Sequence, residues 1–255
     1  MGSYITLVSV IFCLNFFGVA FSQEIIPVSV EKELPFKKIT FKVLDLKSGG
    51  ELAWGEETIE CHENLLKKST LYYLPGTGKK VIQSESSVVS LDRLQVKEYM
   101  FSNGTTGEKV DLTMREPPVA ELVYVEKPNK SPERSRYKWT ERTIIGKTLH
   151  HFIVRKWNDL IRDERPEFDL FVPMKRDSFG FRVRRERETK LGGQVAQVIS
   201  LEPQNWAIRK LVPRMNFYYV VVDGLPRLSR YEGATTVAIN GDSDREVAID
   251  FDYAR

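Results

Sequence analysis

The sequence predicts a mainly β protein: a strongly curved antiparallel sheet, an open or half barrel, that carries one long amphipathic helix. Three observations lead there. Short runs with apolar residues at alternate positions recur along most of the chain, separated by Gly, Pro and Asn turns, as half-buried strands require. Only one stretch places its apolar residues at helical spacing: Leu149, Phe152, Ile153, Trp157, Leu160 and Ile161 form one stripe. A single helix cannot cover both faces of a sheet this long, so the sheet must curl around it or be plugged by it.

The elements follow in order. Ile39, Phe41 and Val43 alternate with Thr40 and Lys42 in a first strand, and Ser48-Gly49-Gly50 turns the chain. Strands are expected at 52–60, 69–74, 80–89, 94–101 and 109–114, with turns at Pro75-Gly76-Thr77-Gly78 and Asn103-Gly104. The segment 115–137, with Pro117-Pro118, Pro128 and Pro132 among many charges, reads as an exposed loop within one β-rich domain spanning 39–255 or as a linker between a strand-rich half and a helix-led half. The loop is favoured because each half alone has too few elements to cover a sheet. The helix is expected at about 148–162, with Thr148 capping its start and Pro166 forbidding continuation. His150 and His151 fall on its polar face, where a solvated pair is expected, and Val154 is the one apolar residue out of phase. Phe168, Leu170 and Val172, then Phe179, Phe181 and Val183, give two further strands. After a strand at 194–201 comes a helical turn at about 203–211. Met215 to Val222 reads as a strand buried on both faces; strands at 227–231 and 235–239 and a turn at Asn240-Gly241-Asp242 follow. Val247, Ile249, Phe251 and Tyr253 close the chain in strict alternation.

Residues 4–21 are almost wholly apolar and uncharged, and Ala20-Phe21-Ser22 offers small residues where a signal peptidase cuts. A cleaved leader over 1–22 is expected, with cleavage near Ser22/Gln23, a polar lead-in over 23–38, and no transmembrane span in the mature chain, which would be periplasmic or secreted. Cys61 is then the one cysteine left, so the core rather than a disulfide must stabilise the fold; a small buried side chain is expected there. With 38 basic against 35 acidic residues the net charge is +3, which gives no warrant for nucleic-acid binding.

Sites are sparse. Gly-x-Ser-x-Gly, Walker and dinucleotide fingerprints are absent, and no catalytic residue, cofactor or metal set is assigned. Adjacent His150 and His151 point about 100° apart on a helix and cannot easily share one ion. Asp250 and Asp252 share one face of a strand and read as solvent-facing. The candidate ligand-binding set is basic and aromatic: Arg182 and Arg184 on one strand face, Lys175 and Arg176 at the turn before it, and Trp157 and Trp206 in the core or lining a cavity. Guanidinium groups grip phosphate bidentately, so the basic members suit head groups of an anionic lipid, unless carboxylates neutralise them.

The stretches 150–186, 199–212, 227–237 and 245–253 carry a further signal. Their Phe152, Trp157 and Leu160 core, the strand ending at Val172-Pro173, and Arg227-x2-Arg-Tyr-Glu-Gly233 resemble an uncharacterised family of exported bacterial proteins, a domain of unknown function. The resemblance implies periplasmic location and a curved sheet, with a distant fold-level similarity to lipoprotein-carrier half barrels, and it transfers no activity. Three functions fit these readings. The first is an exported, non-enzymatic protein that binds an apolar or amphiphilic, lipid-like ligand in its curved sheet. The second is a structural or protein-interaction module of the envelope. The third is a hydrolase with an unfamiliar site, which requires buried carboxylates or histidines converging in one pocket.

Overall fold

The structure, a computed structural model, describes residues 38–211, 213–235, 237 and 245–253. The expected leader, residues 23–37 of the lead-in, the turn at Asn240-Gly241-Asp242 and most of the strand expected at 235–239 lie outside the described residues.

Nine strands come first: β1 (Lys38–Asp45), β2 (Glu51–His62), β3 (Leu65–Tyr73), β4 (Val81–Ser90), β5 (Gln95–Asn103), β6 (Lys109–Glu116), β7 (Val119–Val125), β8 (Glu133–Lys138) and the short β9 (Thr143–Ile144). Helices α1 (Gly146–Arg155) and α2 (Trp157–Ile161) follow, then β10 (Glu167–Val172), β11 (Asp177–Leu191) and β12 (Gln194–Pro203). Helix α3 (Trp206–Leu211) precedes β13 (Met215–Val222), β14 (Leu225–Ala234) and β15 (Glu246–Tyr253).

The fifteen strands of the described residues all join one sheet, in the order β8-β7-β6-β5-β4-β3-β2-β1-β15-β14-β13-β12-β11-β10-β9. From β1 to β8 and from β10 to β15 each strand pairs antiparallel with the next, β1 pairs with β15 in the middle of the sheet, and β9 runs parallel to β10. The sheet curls without closing. Bulges at Val43/Leu44, Tyr72/Tyr73, Val88/Val89, Arg185/Arg187 and Tyr218/Tyr219 shift the register, and each adds local twist that bends the sheet. Its two edge strands, β8 and β9, are separated in sequence by residues 139–142 alone. Side chains rather than ladder hydrogen bonds bridge the gap. The Tyr137 hydroxyl meets Ser178 Oγ at 2.6 Å, the Tyr137 ring packs 4.6 Å from that of Phe171, and Arg176 pairs with Glu133.

The segment 115–137 differs from the loop expected: β7 and β8 occupy most of it, and only 126–132 connects them. Val119-x-Glu121-x-Val123-x-Val125 and the buried Ala120, Leu122 and Tyr124 are themselves an alternating pattern, hidden by the flanking prolines.

The expected single helix over 148–162 is two. It starts two residues earlier, at Gly146, and breaks at Lys156, whose φ of −92° and ψ of 11° leave the helical region before α2 resumes. Thr148 still organises the start, from inside: its hydroxyl donates to the Ile145 carbonyl at 2.9 Å and accepts from the Ile145 N–H at 3.3 Å. Most of the apolar stripe lands as its period requires, but its last member, Ile161, is 37% exposed and the out-of-phase Val154 is buried in its place. Leu149, Ile153, Val154, Trp157 and Leu160 pack with Phe168, Phe181, Val183, Ile199 and Tyr219 of the C-terminal strands. A second cluster, around Leu66, Val96, Leu112 and Leu122, fills the concavity of the N-terminal half and is completed by Trp139, Ile145 and Phe171.

The concave sheet wraps the helix on more than one side, and this corrects the reading of its polar face. His151 is 1% exposed and Val154 is buried, so neither faces solvent. Two other expectations also change. Cys61 is exposed near the β2–β3 turn rather than buried, and the outward Val221 of β13 is 41% exposed, so that strand is not buried on both faces.

Candidate functional site

The N-terminal end of α1 sits above the inner faces of β2, β3 and β4, and those faces carry charge. Strand alternation explains how. The phase that points Ala53, Gly55 and Ile59 of β2 inward also points Glu57 inward, and the phase of Leu66 in β3 brings Lys68, Thr70 and Tyr72 with it. Register then sets Glu57 opposite Thr70, and Thr70 opposite Glu85 of β4, in one row across three strands.

Lys147, in the first turn of α1, drops its ammonium onto this row. It lies 2.7 Å from Thr70 Oγ1, 2.9 Å from a Glu85 oxygen and 3.5 Å from Glu57. Lys68 pairs with Glu57 at 2.9 Å, Thr70 donates to Glu57 at 2.9 Å, and Tyr99 donates to Glu85 at 2.7 Å. Two ammonium groups thus face two carboxylates, and the cluster is neutral as a whole.

Burial sets the protonation states. It pushes the Glu57 carboxyl up, but Lys68 and Lys147 outweigh it and hold the pKa at about 2. It disfavours the Lys147 ammonium, yet Glu85, Tyr72 and Glu57 raise its pKa well above the ordinary lysine value. Tyr72 is pushed up to about 12, chiefly by burial, with Lys147 opposing. His150 is pushed down to about 3 by burial and by the Lys68 charge, so its ring is neutral at pH 7; Nδ1 lies 3.1 Å from the Tyr219 hydroxyl and the two rings stack.

A cavity of about 180 Å³ lies between this cluster and the opposite wall. Glu57, Lys68, Thr70, Tyr72, Lys147 and His150 supply its polar end, while Phe41, Ile59, Leu149, Phe217, Ile249 and Phe251 supply an apolar body. Gly55 makes room for the Phe41 ring that forms part of the wall, because a Cβ there would collide with it and with the Leu71 carbonyl. Among the described residues no group of three His, Cys, Asp or Glu side chains could hold a metal ion.

The residues singled out in the sequence lie elsewhere and apart. Arg182 and Arg184 point to the convex face and are already paired: Arg182 grips Glu202 at 3.0 Å, and Arg184 reaches Glu202 at 3.1 Å and Glu186 at 2.5 Å. Lys175 and Arg176 lie at the corner between β10 and β11, where Arg176 also stands 5.7 Å over the Tyr124 ring. Trp157 is in the core beneath the helix, whereas Trp206 lies outside it on α3, 69% exposed, against the expectation of a core or cavity position. Asp250 is paired across the convex face with Arg230 at 2.8 Å, and Asp252 is exposed.

The sequence does carry a signal of this cluster. Leu66-x-Lys68-x-Thr70-x-Tyr72 puts a lysine on an inward strand face, where an unpaired charge is too costly to bury.

Fold and site together define a β-rich protein with a concave sheet, plugged by a helix and holding a small cavity with one polar end. No protein-family model matches the chain, and no curated protein does. Among solved structures it is similar to a β-barrel-like protein of the domain of unknown function DUF1849 from Brucella abortus, at 11% identity and a TM-score of 0.49, over 86% of this chain and 98% of that one. It is also similar to a candidate lipoprotein from Parabacteroides distasonis, at 7% identity and a TM-score of 0.27, over 86% of this chain and 95% of the other.

Proposed function

We propose that the chain is an exported, non-enzymatic envelope protein that holds a small amphiphile in the cavity beneath α1. The cavity itself is the observation that carries this reading. Its walls are aromatic and aliphatic, and its polar groups gather at one end, as a ligand with an apolar body and a single polar group demands. Because the four charges of the cluster cancel, an anionic ligand would bring an uncompensated charge into a buried site. An uncharged amphiphile suits it better, its polar group bonded by the Lys68 ammonium and the Tyr72 hydroxyl.

The hydrolase reading gains the convergence of buried carboxylates and histidines that it requires, but the chemistry opposes it. A general base works best with a pKa near the working pH, and Glu57 and His150 are both held far below it. Lys147 is locked in its protonated form and cannot deprotonate Thr70. The interaction-module reading has one observation in its favour: α1 and α2 already fill most of the concavity with their own stripe.

The test is to recover the exported protein from cells expressing the full chain, then apply native mass spectrometry, organic extraction and titration with the neutral probe N-phenyl-1-naphthylamine. A stoichiometric extractable amphiphile that the probe displaces supports the proposal. Leu228→Trp and Ile249→Phe, which fill the cavity from the adjacent strands β14 and β15, are expected to abolish probe binding while the melting transition persists. A ligand-free protein that ignores the probe, or binds it equally in both variants, sinks the reading.

A further inference from the structure

We propose a second site, independent of the cavity: α3 and the residues after it dock the protein onto an anionic lipid surface. The convex face neutralises most of its own charge. Arg182 and Arg184 are balanced by Glu202 and Glu186, and Arg230 is balanced by Glu232 and Asp250, so these guanidinium groups are not available to a partner.

Next to that balanced surface the charge changes character. Arg209, Lys210 and Arg214 are all exposed, and among the described residues no carboxylate lies within ion-pair distance of any of them. Arg209 is held in place by its own guanidinium, which donates to the Pro203 carbonyl at 3.1 and 3.3 Å. Trp206 projects from the same helix with 69% of its surface exposed, the largest apolar side chain so placed among the described residues. The Lys210 ammonium sits 4.9 Å over the indole ring.

An exposed tryptophan costs solvation free energy in water, and its amphipathic ring is most at home at the level of lipid head groups. Cations flanking such a ring meet lipid phosphates while the indole enters the boundary of the acyl region. A recess of about 400 Å³ beside the indole is lined by Arg209, Lys210 and Arg214 and also by Glu186 and Glu202, whose carboxylates Arg182 and Arg184 already neutralise, so the excess charge facing a head group there is positive. A nucleic acid or other extended polyanion would need a basic stripe; the ladder of paired charges around Arg182, Arg184 and Arg230 interrupts it.

Brominated phospholipids quench only indoles that reach the bilayer, which makes Trp206 its own probe: Trp139 and Trp157 are buried, and Trp54 is stacked on Tyr73. The full chain is mixed with vesicles of brominated phosphatidylcholine, with and without about one third phosphatidylglycerol. Quenching is expected with the anionic vesicles, weaker with the neutral ones, and reduced by salt. Trp206→Phe is expected to remove the quenching. Arg209→Glu with Lys210→Glu is expected to weaken vesicle binding by more than about tenfold, since each cation near an anionic surface contributes about fivefold. Quenching that persists in Trp206→Phe, or is equal on neutral vesicles, overturns the proposal. So does binding of a soluble polyanion without quenching. The cavity-filling variant Ile249→Phe leaves α3 and the four tryptophans untouched and is expected to quench as the parent does, so the two proposals fail separately.

Discussion

At the residue scale the decisive groups are ionisable side chains on a face that strand alternation makes internal. His150 faces Lys68, Glu57 and Tyr219, with His151 beside it, and is neutral in the fold because burial drops its pKa from 6.5 to about 3. His151 is shifted in the same direction, again chiefly by burial. In the unfolded chain both rings protonate near pH 6.5, so between pH 6.5 and 3 the unfolded state binds more protons and stability falls as pH falls. Glu57 adds the same sign lower down, between 4.5 and about 2, as its carboxylate is lost. The melting temperature is therefore expected to decline steadily from pH 7 to 4, with each histidine contributing a slope of up to about 1.4 kcal/mol per pH unit. His150→Phe is expected to remove roughly half of that slope. A pH dependence unchanged in this variant would show that the ring is not buried as described.

At the scale of elements, α1 does two jobs with two faces. Its stripe binds it to β10–β13, and Lys147 ties its first turn to β3 and β4 on the other half of the sheet. Removing one partner of a buried ion pair leaves the other uncompensated, at a cost of about 3–5 kcal/mol. Lys147→Met is expected to destabilise by that order, because Glu85 loses its ammonium while Glu57 keeps Lys68. Adding Glu85→Gln should restore much of the loss, and the coupling is read from denaturant titrations of the two single variants and the double. Purely additive effects would mean that the helix end is not anchored through this pair.

At the scale of the whole molecule, the sheet is held nearly shut by a seam rather than by a ladder. Tyr137 carries much of that seam, bonded to Ser178 and packed on Phe171 and Trp139. Tyr137→Ala is expected to cost about 2 kcal/mol, below the roughly 3–5 kcal/mol for a fully buried aromatic because this side chain is half-buried. Hydrogen exchange is expected to show β8 and β7 losing protection while β1 and β15, paired in mid-sheet, keep theirs. Uniform loss across the sheet would argue against a local seam.

How much of this was legible is clearest from particular residues. Leu149, Ile153 and Leu160 announced a buried helix face by period, and Val247 to Tyr253 announced a strand, because both patterns are local consequences of backbone geometry. The period also marked Val154, His150 and His151 as outward, and that failed. Which sides of a helix are wet depends on how far the sheet curls around it, and the helix's own residues do not specify that. Likewise Arg182 and Arg184 drew attention as a basic patch, but Glu202, which neutralises both, lies one strand away at a register no spacing reveals. Sequence alone determined the class of fold and the positions of most strands, since alternation and turn chemistry act over a few residues. Tertiary structure alone decided that residues as distant as Glu57, Glu85 and Lys147 form one neutral buried cluster, that α1 is enclosed, and that Trp206 faces outward. Those outcomes rest on register and curvature, which place residues far apart in the chain within a few ångströms of each other.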